Sequence, residues 1–174
     1  MTSWVALLRG VNVNGITVRS AELRALFGDL GFDDVRTVLA SGNVAFTSAG
    51  GAAELTRSVQ DALRKRFGYD AWIVLVTRAD IEAAIASFPF DAADARRQPY
   101  AIFGSDTSVL DELVDAAAGF DGEVDPIARG EGVVYWNPVK GTTVDTPFGK
   151  LLSRRAYKET TTSRNLRTLQ KIVG

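Results

Sequence analysis

Arg9 closes the apolar run Trp4-Val5-Ala6-Leu7-Leu8 and opens the segment Arg9-Gly10-Val11-Asn12-Val13-Asn14-Gly15. A guanidinium there offers a planar, two-toothed donor to a carboxylate or phosphate. Glycines let backbone N–H groups approach an anion closely, and Asn12 and Asn14 add side-chain amides. Ser41-Gly42-Asn43 supplies a second short loop with a hydroxyl, a glycine and an amide. The competing reading of both loops is turn chemistry, because Asn and Gly tolerate left-handed backbone and Ser41 can bond its own main chain.

A second group of candidates lies further along. Thr160, Thr161, Thr162 and Ser163 precede Arg164 and Asn165, and the apolar spacing of Leu166, Leu169, Ile172 and Val173 predicts a helix that begins at Thr162 or Ser163. An arginine in a first helical turn opposes the macrodipole, so Arg164, Asn165 and the hydroxyls would together suit an anion. The competing reading pairs Arg164 with Glu159 or an acid from the first half of the chain. Lys150, Arg154, Arg155 and Lys158 recur at helical spacing, as either a solvated basic face or a surface for a phosphate backbone. Asp121, Glu123 and Asp125 alternate, which on a strand would align three carboxylates for Mg²⁺ or acid–base work. Gly122 and Pro126 favour instead an exposed edge guarded by charge.

Much chemistry is excluded. The 174 residues contain no histidine and no cysteine. Triads built on histidine, thiolate nucleophiles, disulfides and cysteine or histidine metal sites are therefore absent. Gly149-Lys150 lacks the upstream glycine of a P-loop. No metal site is expected, and the sequence names no cofactor.

The elements that would position these residues alternate clearly over the first 76 residues. The apolar run from Trp4 suits a strand buried on both faces. Leu23, Leu26, Phe27 and Leu30 make a helix face after Ser20 as N-cap, stopped by Gly31. Val35 to Ala40 and Val44 to Thr47 read as a hairpin about Ser41-Gly42-Asn43. Leu55, Val59, Ala62, Leu63 and Phe67 give a second helix ended by Gly68, and Trp72 to Val76 a fourth strand. The order β-α-β-β-α-β is the ferredoxin-like pattern. In it the first strand's end lies beside the second-to-third hairpin, which would bring Arg9 and Asn43 to one rim.

The later sequence repeats the theme less regularly. It has a helix over Ile81 to Phe88 stopped by Pro89, a strand at Tyr100 to Phe103, and a helix face at Leu110, Leu113, Val114 and Ala117. Glu123 to Ala128 and Val133 to Trp136 suggest a hairpin, and Thr146-Pro147 a helix start. The expectation is an α+β fold of two ferredoxin-like (βαββαβ) subdomains packed as one unit, 1–76 and 77–174, the second carrying a basic C-terminal helix.

The net charge of −1 conceals an asymmetry: from Asn137 onward eight Lys and Arg face only Asp145 and Glu159. Such a segment attracts anionic partners or docks on its own chain's acidic surface. Phe148 and Tyr157 are its only rings, so nucleic acid is a partner the sequence allows without favouring. No run approaches a membrane span and no signal peptide is evident, so the expected location is the cytoplasm.

Three segments carry a family resemblance. They are Ala6-Leu7-Leu8-Arg9-Gly10-Val11-Asn12-Val13-Asn14-Gly15, the stretch Leu30-Gly31-Phe32 through Val35-Arg36-Thr37 to Ser41-Gly42-Asn43-Val44-Ala45-Phe46, and Thr162-Ser163-Arg164-Asn165-Leu166-Arg167-Thr168. In order and spacing they resemble the bacterial Domain of Unknown Function 1697 family. The resemblance implies a pair of ferredoxin-like subdomains and no established activity. The first loop departs from the family's usual Asn-Val-Gly-Gly. The reading that follows is a binding module for a small anionic or phosphorylated ligand, a nucleotide included, with Arg9, Asn12, Asn14, Ser41, Asn43, Lys150, Arg154, Thr162, Arg164 and Asn165 as its candidates. The alternatives are an enzyme acting on such a ligand and a nucleic-acid or protein interaction module.

Overall fold

In the computed structural model, which describes residues 1–9, 17–39 and 42–174, the chain divides into two units. One comprises Met1–Ala79 with Lys171–Gly174, the other Asp80–Gln170. Each has one four-stranded antiparallel sheet, and seven helices are formed among the described residues. The fold is a mixed α/β one.

The first unit runs β1 (Thr2–Arg9), α1 (Ser20–Asp29), β2 (Asp33–Val38), β3 (Asn43–Ser48), α2 (Ala52–Phe67), β4 (Trp72–Thr77) and then α3 (Arg78–Ala86), which crosses into the second unit. Its sheet order is β2-β3-β1-β4. Two strands separated by a helix must run parallel, and a third strand inserts between them, so every neighbouring pair is antiparallel. Alternation along β1 decides the faces: Ala6 and Leu8 join Leu23, Phe27, Val59 and Leu63 in the core beneath the helices. Val5 and Leu7, on the other face, are equally buried. That explains why β1 reads as a continuous apolar run rather than an alternating one. Phe46 stacks on Phe32 and meets Phe27 edge-on, which ties β3 to α1.

One helix end differs from the sequence reading and another follows it. Arg19, not Ser20, holds the N-cap of α1: Glu22 Oε2 accepts the Arg19 N–H at 3.4 Å, the N3 half of a capping box, and Ser20 is the first helical residue. The end of α2 follows expectation: Gly68 adopts φ 67° and its N–H returns to Arg64 O.

The second unit continues with β5 (Tyr100–Gly104), α4 (Thr107–Ala116), β6 (Ile127–Gly130), β7 (Val133–Trp136), α5 (Pro147–Leu152), α6 (Arg155–Lys158), β8 (Thr161–Asn165) and α7 (Leu166–Val173), whose last residues belong to the first unit. The sheet order is β6-β7-β5-β8. Thr146 Oγ1 accepts the Gly149 N–H at 3.0 Å and Pro147 opens α5, as the Thr-Pro pair predicts. Ile102, Leu110, Leu113, Val134, Trp136 and Phe148 form the core.

Three expectations are overturned here. Residues 161–165 are a strand, and α7 begins only at Leu166. Thr161 and Thr162 pair with Gly104 and Phe103 and are almost wholly buried, so the β-branched residues serve the ladder and not a helix start. Asp121, Glu123 and Asp125 form neither an aligned strand face nor the favoured exposed edge: Asp121 O accepts the Asp125 N–H at 2.8 Å and its carboxylate the Glu123 N–H, which closes a turn before β6, and Asp125 is buried. The basic stripe is broken, because α5 ends at Leu152 and Arg154, with ψ 145°, starts α6 afresh. Lys150 and Lys158 therefore sit on different helices.

Candidate functional site

The carboxyl end of β1 is where the first unit gathers its candidates. Leu7 stands opposite Asn43 on β3, and the Leu8 N–H donates to Gly42 O at 2.8 Å. Arg9, the last residue of the strand, stands opposite Trp72 at the start of β4. The strand order thus brings Arg9 and Asn43 to the same end of the sheet. Asn12, Asn14 and Ser41 lie outside the described residues.

Arg9 and Asn43 differ in kind. Asn43 is 1% exposed, and its Nδ2 donates to Val38 O at 3.0 Å, bracing the neck of the β2–β3 hairpin. Arg9 is half-buried, and its Nε is enclosed without a hydrogen-bond partner among the described residues. Burial holds its pKa below the ordinary guanidinium value. The group stays charged at neutral pH even so, since a guanidinium does not give up its proton in proteins. A desolvated cation with an unused donor is the strongest anion-seeking feature of the unit.

Its surroundings contain residues that sequence reasoning passed over. The Arg64 guanidinium lies 4.7 Å from the centroid of the Trp72 ring and donates from Nη2 to Ala71 O at 3.1 Å. Arg64 sits in the last turn of α2, in a run Arg64-Lys65-Arg66 that suits a helix carboxyl end and so attracts no notice. The distinguishing signal was Gly68: a left-handed cap four residues on turns the chain sharply enough to lay the arginine over the next strand. Tyr69, in the same connection, has a buried hydroxyl with no partner among the described residues, and burial raises its pKa.

The second unit's candidates are placed differently. Arg164 lies on β8 opposite Ala101, so it is not in a helical turn, and the dipole argument for an anion there lapses. Its Nη1 donates to Thr162 Oγ1 at 2.6 Å and to Ser163 O at 3.0 Å, which folds the side chain back along its own strand. Asn165 Oδ1 accepts the Arg167 N–H at 2.9 Å at the start of α7. Glu159, offered as a partner of Arg164, pairs with Arg155 at 3.2 Å. Lys150 is exposed in the last turn of α5, and Arg154 is exposed at the N-cap of α6. Asp125 is the buried carboxylate of the unit: its Oδ1 accepts Trp136 Nε1–H at 2.9 Å and its Oδ2 the Phe148 N–H at 3.1 Å.

Among the described residues no group of three or more acidic side chains stands close enough to hold a metal ion, and no helix is long and apolar enough to cross a membrane. Comparison with known proteins places these features in context. The family model described as a protein of unknown function (DUF1697) matches residues 1–135. The solved structure of the conserved bacterial protein SP0830 from Streptococcus pneumoniae is similar, with TM-score 0.82 and 24% identity over 99% of this chain and 97% of that one. That likeness extends the fold to residues 136–174, beyond the family match. No curated protein matches the chain.

Proposed function

We propose that this chain, which belongs to the family of proteins of unknown function (DUF1697), is a binding module for a small anionic or phosphorylated ligand seated at the Arg9 end of the first sheet. One observation carries the reading. Arg9 Nε is buried without an acceptor among the described residues, at a strand end where a hairpin neck and a tryptophan converge. Unmade hydrogen bonds of buried charged groups are expensive, and a carboxylate or phosphate would supply the missing acceptor. Crevices outside strand ends are common ligand sites in sheets flanked by helices. Asn12 and Asn14 stand three and five positions after Arg9 in sequence and are the next residues to probe. Lys150, Arg154, Thr162, Arg164 and Asn165 are secondary candidates, and each has the structural use described above or a solvated position.

The two strand orders, both second-third-first-fourth, support two ferredoxin-like subdomains divided near residues 76 and 77. The reading is of a cytoplasmic protein with no resident cofactor assigned. Its test is a thermal-shift screen of phosphate, diphosphate, nucleotides and small carboxylates against wild type and Arg9→Ala. Ligand bound to the folded state alone raises the unfolding temperature. The reading requires at least one anion to do so for wild type and not for Arg9→Ala. Equal shifts in both proteins would refute it.

A further inference from the structure

Buried donors without acceptors are rare in folded proteins, and each one asks for an explanation. Among the described residues five buried side-chain atoms lack a partner: the donors Trp4 Nε1, Arg9 Nε, Arg64 Nε and Tyr69 Oη, and the acceptor Asn137 Oδ1. Three of the five belong to residues at one junction, where β1 ends and β4 begins. Arg9 faces Trp72 across the ladder. Arg64 lies over the Trp72 ring at 4.7 Å. Tyr69 stands three positions before Trp72 in the chain.

The chemistry of the three is alike. Each can donate, and two are cations on either hand of a single indole. Directly opposed residues in an antiparallel ladder have Cβ atoms about 5 Å apart, which sets Arg9 beside Trp72, the residue whose ring Arg64 overlies. The nearest carboxylate to Arg64 is Asp61, at 4.0 Å and with 78% of its side chain exposed, so it neutralises little. Two partly desolvated cations bordering the same indole are stabilised by an anion that reaches both. Arg64 Nη2 is already fixed on Ala71 O, which orients its plane before any ligand arrives. Donors from different elements approach from different directions. A carboxylate presents two oxygens in one plane, whereas a phosphoryl group presents three, splayed about a tetrahedron.

We infer that Arg64 is a second ligand-binding arginine of the Arg9 site, set across Trp72 from it, and that the ligand carries a phosphoryl group on a small molecule. The inference rests on the Arg9 reading and adds a residue, an orientation and a chemical class to it.

The experiment is calorimetric titration of the full-length chain with inorganic phosphate, a nucleoside monophosphate and citrate, alongside tryptophan emission. Phosphoryl probes should bind wild type at least about tenfold more tightly than citrate, which carries only carboxylates. Arg9→Ala and Arg64→Ala should each weaken phosphoryl binding about tenfold or more, as expected for a charged hydrogen bond. Arg66→Ala, which removes an exposed charge from the same helix, should change it less than about twofold. Arg64→Lys preserves the charge and most of the stem, and serves if Arg64→Ala fails to fold. It should bind less tightly than wild type because the fork is lost. The probe-induced change in emission should vanish in Trp72→Phe.

The outcomes separate the two claims. Loss of binding in Arg9→Ala with wild-type affinity in both Arg64 variants overturns the second arginine and leaves the Arg9 reading standing. Citrate as tight as phosphate overturns the phosphoryl class. An emission change retained in Trp72→Phe overturns the place assigned to the indole. Absence of binding by every probe to wild type overturns the inference and the Arg9 reading together. Preference for the nucleoside monophosphate over inorganic phosphate would identify the phosphoryl group as part of a larger molecule.

Discussion

Asn43 and Val38 stand opposite one another at the neck of the first hairpin, and the Asn43 amide spends a donor on the Val38 carbonyl at 3.0 Å. The side chain is 1% exposed, so no water replaces that bond if the amide is removed.

Asn43→Ala should therefore cost about 1–3 kcal/mol of folding stability, the usual penalty for stranding a buried polar group. Asn43→Asp should cost more, because it replaces the donor with a buried acceptor facing a carbonyl. Urea denaturation of the three proteins decides it. A change under about 0.5 kcal/mol for the alanine variant would remove Asn43 as the brace of the hairpin.

Asp125 should be the most sensitive acid of the second unit. Both its oxygens are occupied, by the Trp136 indole and the Phe148 amide, at 2% residue exposure. Asp125→Asn keeps one acceptor oxygen and turns an NH₂ toward the remaining donor. A loss of about 1.5–3 kcal/mol is expected, the range of hydrogen bonds to charged groups. Trp136→Phe should lose a similar amount, and the double variant less than the two singles added, since they share one bond.

Two glycines should respond in opposite senses to alanine. A Cβ on Gly149 would stand 1.9 Å from Thr143 O, a backbone atom that cannot swing aside. Gly149→Ala should destabilise by about 1–3 kcal/mol or more through overpacking. Gly28, within α1, has nothing within 4 Å of the same position, so Gly28→Ala should stabilise by about 0.5–1 kcal/mol through helix propensity. Thermal and urea unfolding of both variants check the pair.

The protein should lose stability on the alkaline side. Burial raises the Tyr69 and Tyr135 pKa values in the folded chain. Folding then favours the neutral phenol, so its contribution is complete below the unfolded value of about 10 and declines as pH rises through that value toward the folded one. Tyr135→Phe should flatten this decline. It should also cost about 1–3 kcal/mol at neutral pH, because Tyr135 Oη donates to Ala84 O at 2.8 Å. Phenolate absorbance and unfolding temperature, followed from about pH 8 to 11, report both effects.

Binding to bulk nucleic acid should be weak. The basic residues between Lys150 and Lys158 are divided between two short helices and form no continuous helical stripe. Anisotropy of a mixed-sequence duplex should show no saturation at moderate salt. Tight binding with a steep salt slope would contradict this.

What was legible in the sequence follows from how local each signal is. The alternation of strand and helix across the first 76 residues, the apolar faces of α1 and α2, and the Thr146-Pro147 start all depend on neighbours a few positions apart. The convergence of Arg9 and Asn43 was legible as well, since it follows from strand order alone. The start of α7 was not. Threonines before an amphipathic run resemble a helix cap, and only the pairing of Thr162 with Phe103, far off in sequence, makes them a strand. Arg64 was hidden for the converse reason: a basic last turn already has a local rationale, and the position of Trp72 beneath it is a tertiary fact. The turn holding Asp125 misled because Gly122 and Pro126 mark an irregular, exposed-looking stretch, and the Trp136 and Phe148 donors that bury the carboxylate are distant in sequence.

The Arg36 Nη2 donates to Ile172 O at 2.6 Å, and Arg78 Nη2 donates to Val173 O. Arg36 and Ile172 are 136 positions apart. On the ribosome, both arginines emerge long before the carbonyls that will receive them, and the whole of the second sheet is synthesised in between. The first unit therefore has two ages. Its sheet can form early, while the acceptors on Ile172 and Val173 arrive only after the second sheet has been made. Contacts of such separation are slow to find and leave surface uncovered in the interval, which makes that interval the period of greatest exposure to aggregation or to chaperones. A fragment cut after α3 would reproduce this waiting state permanently.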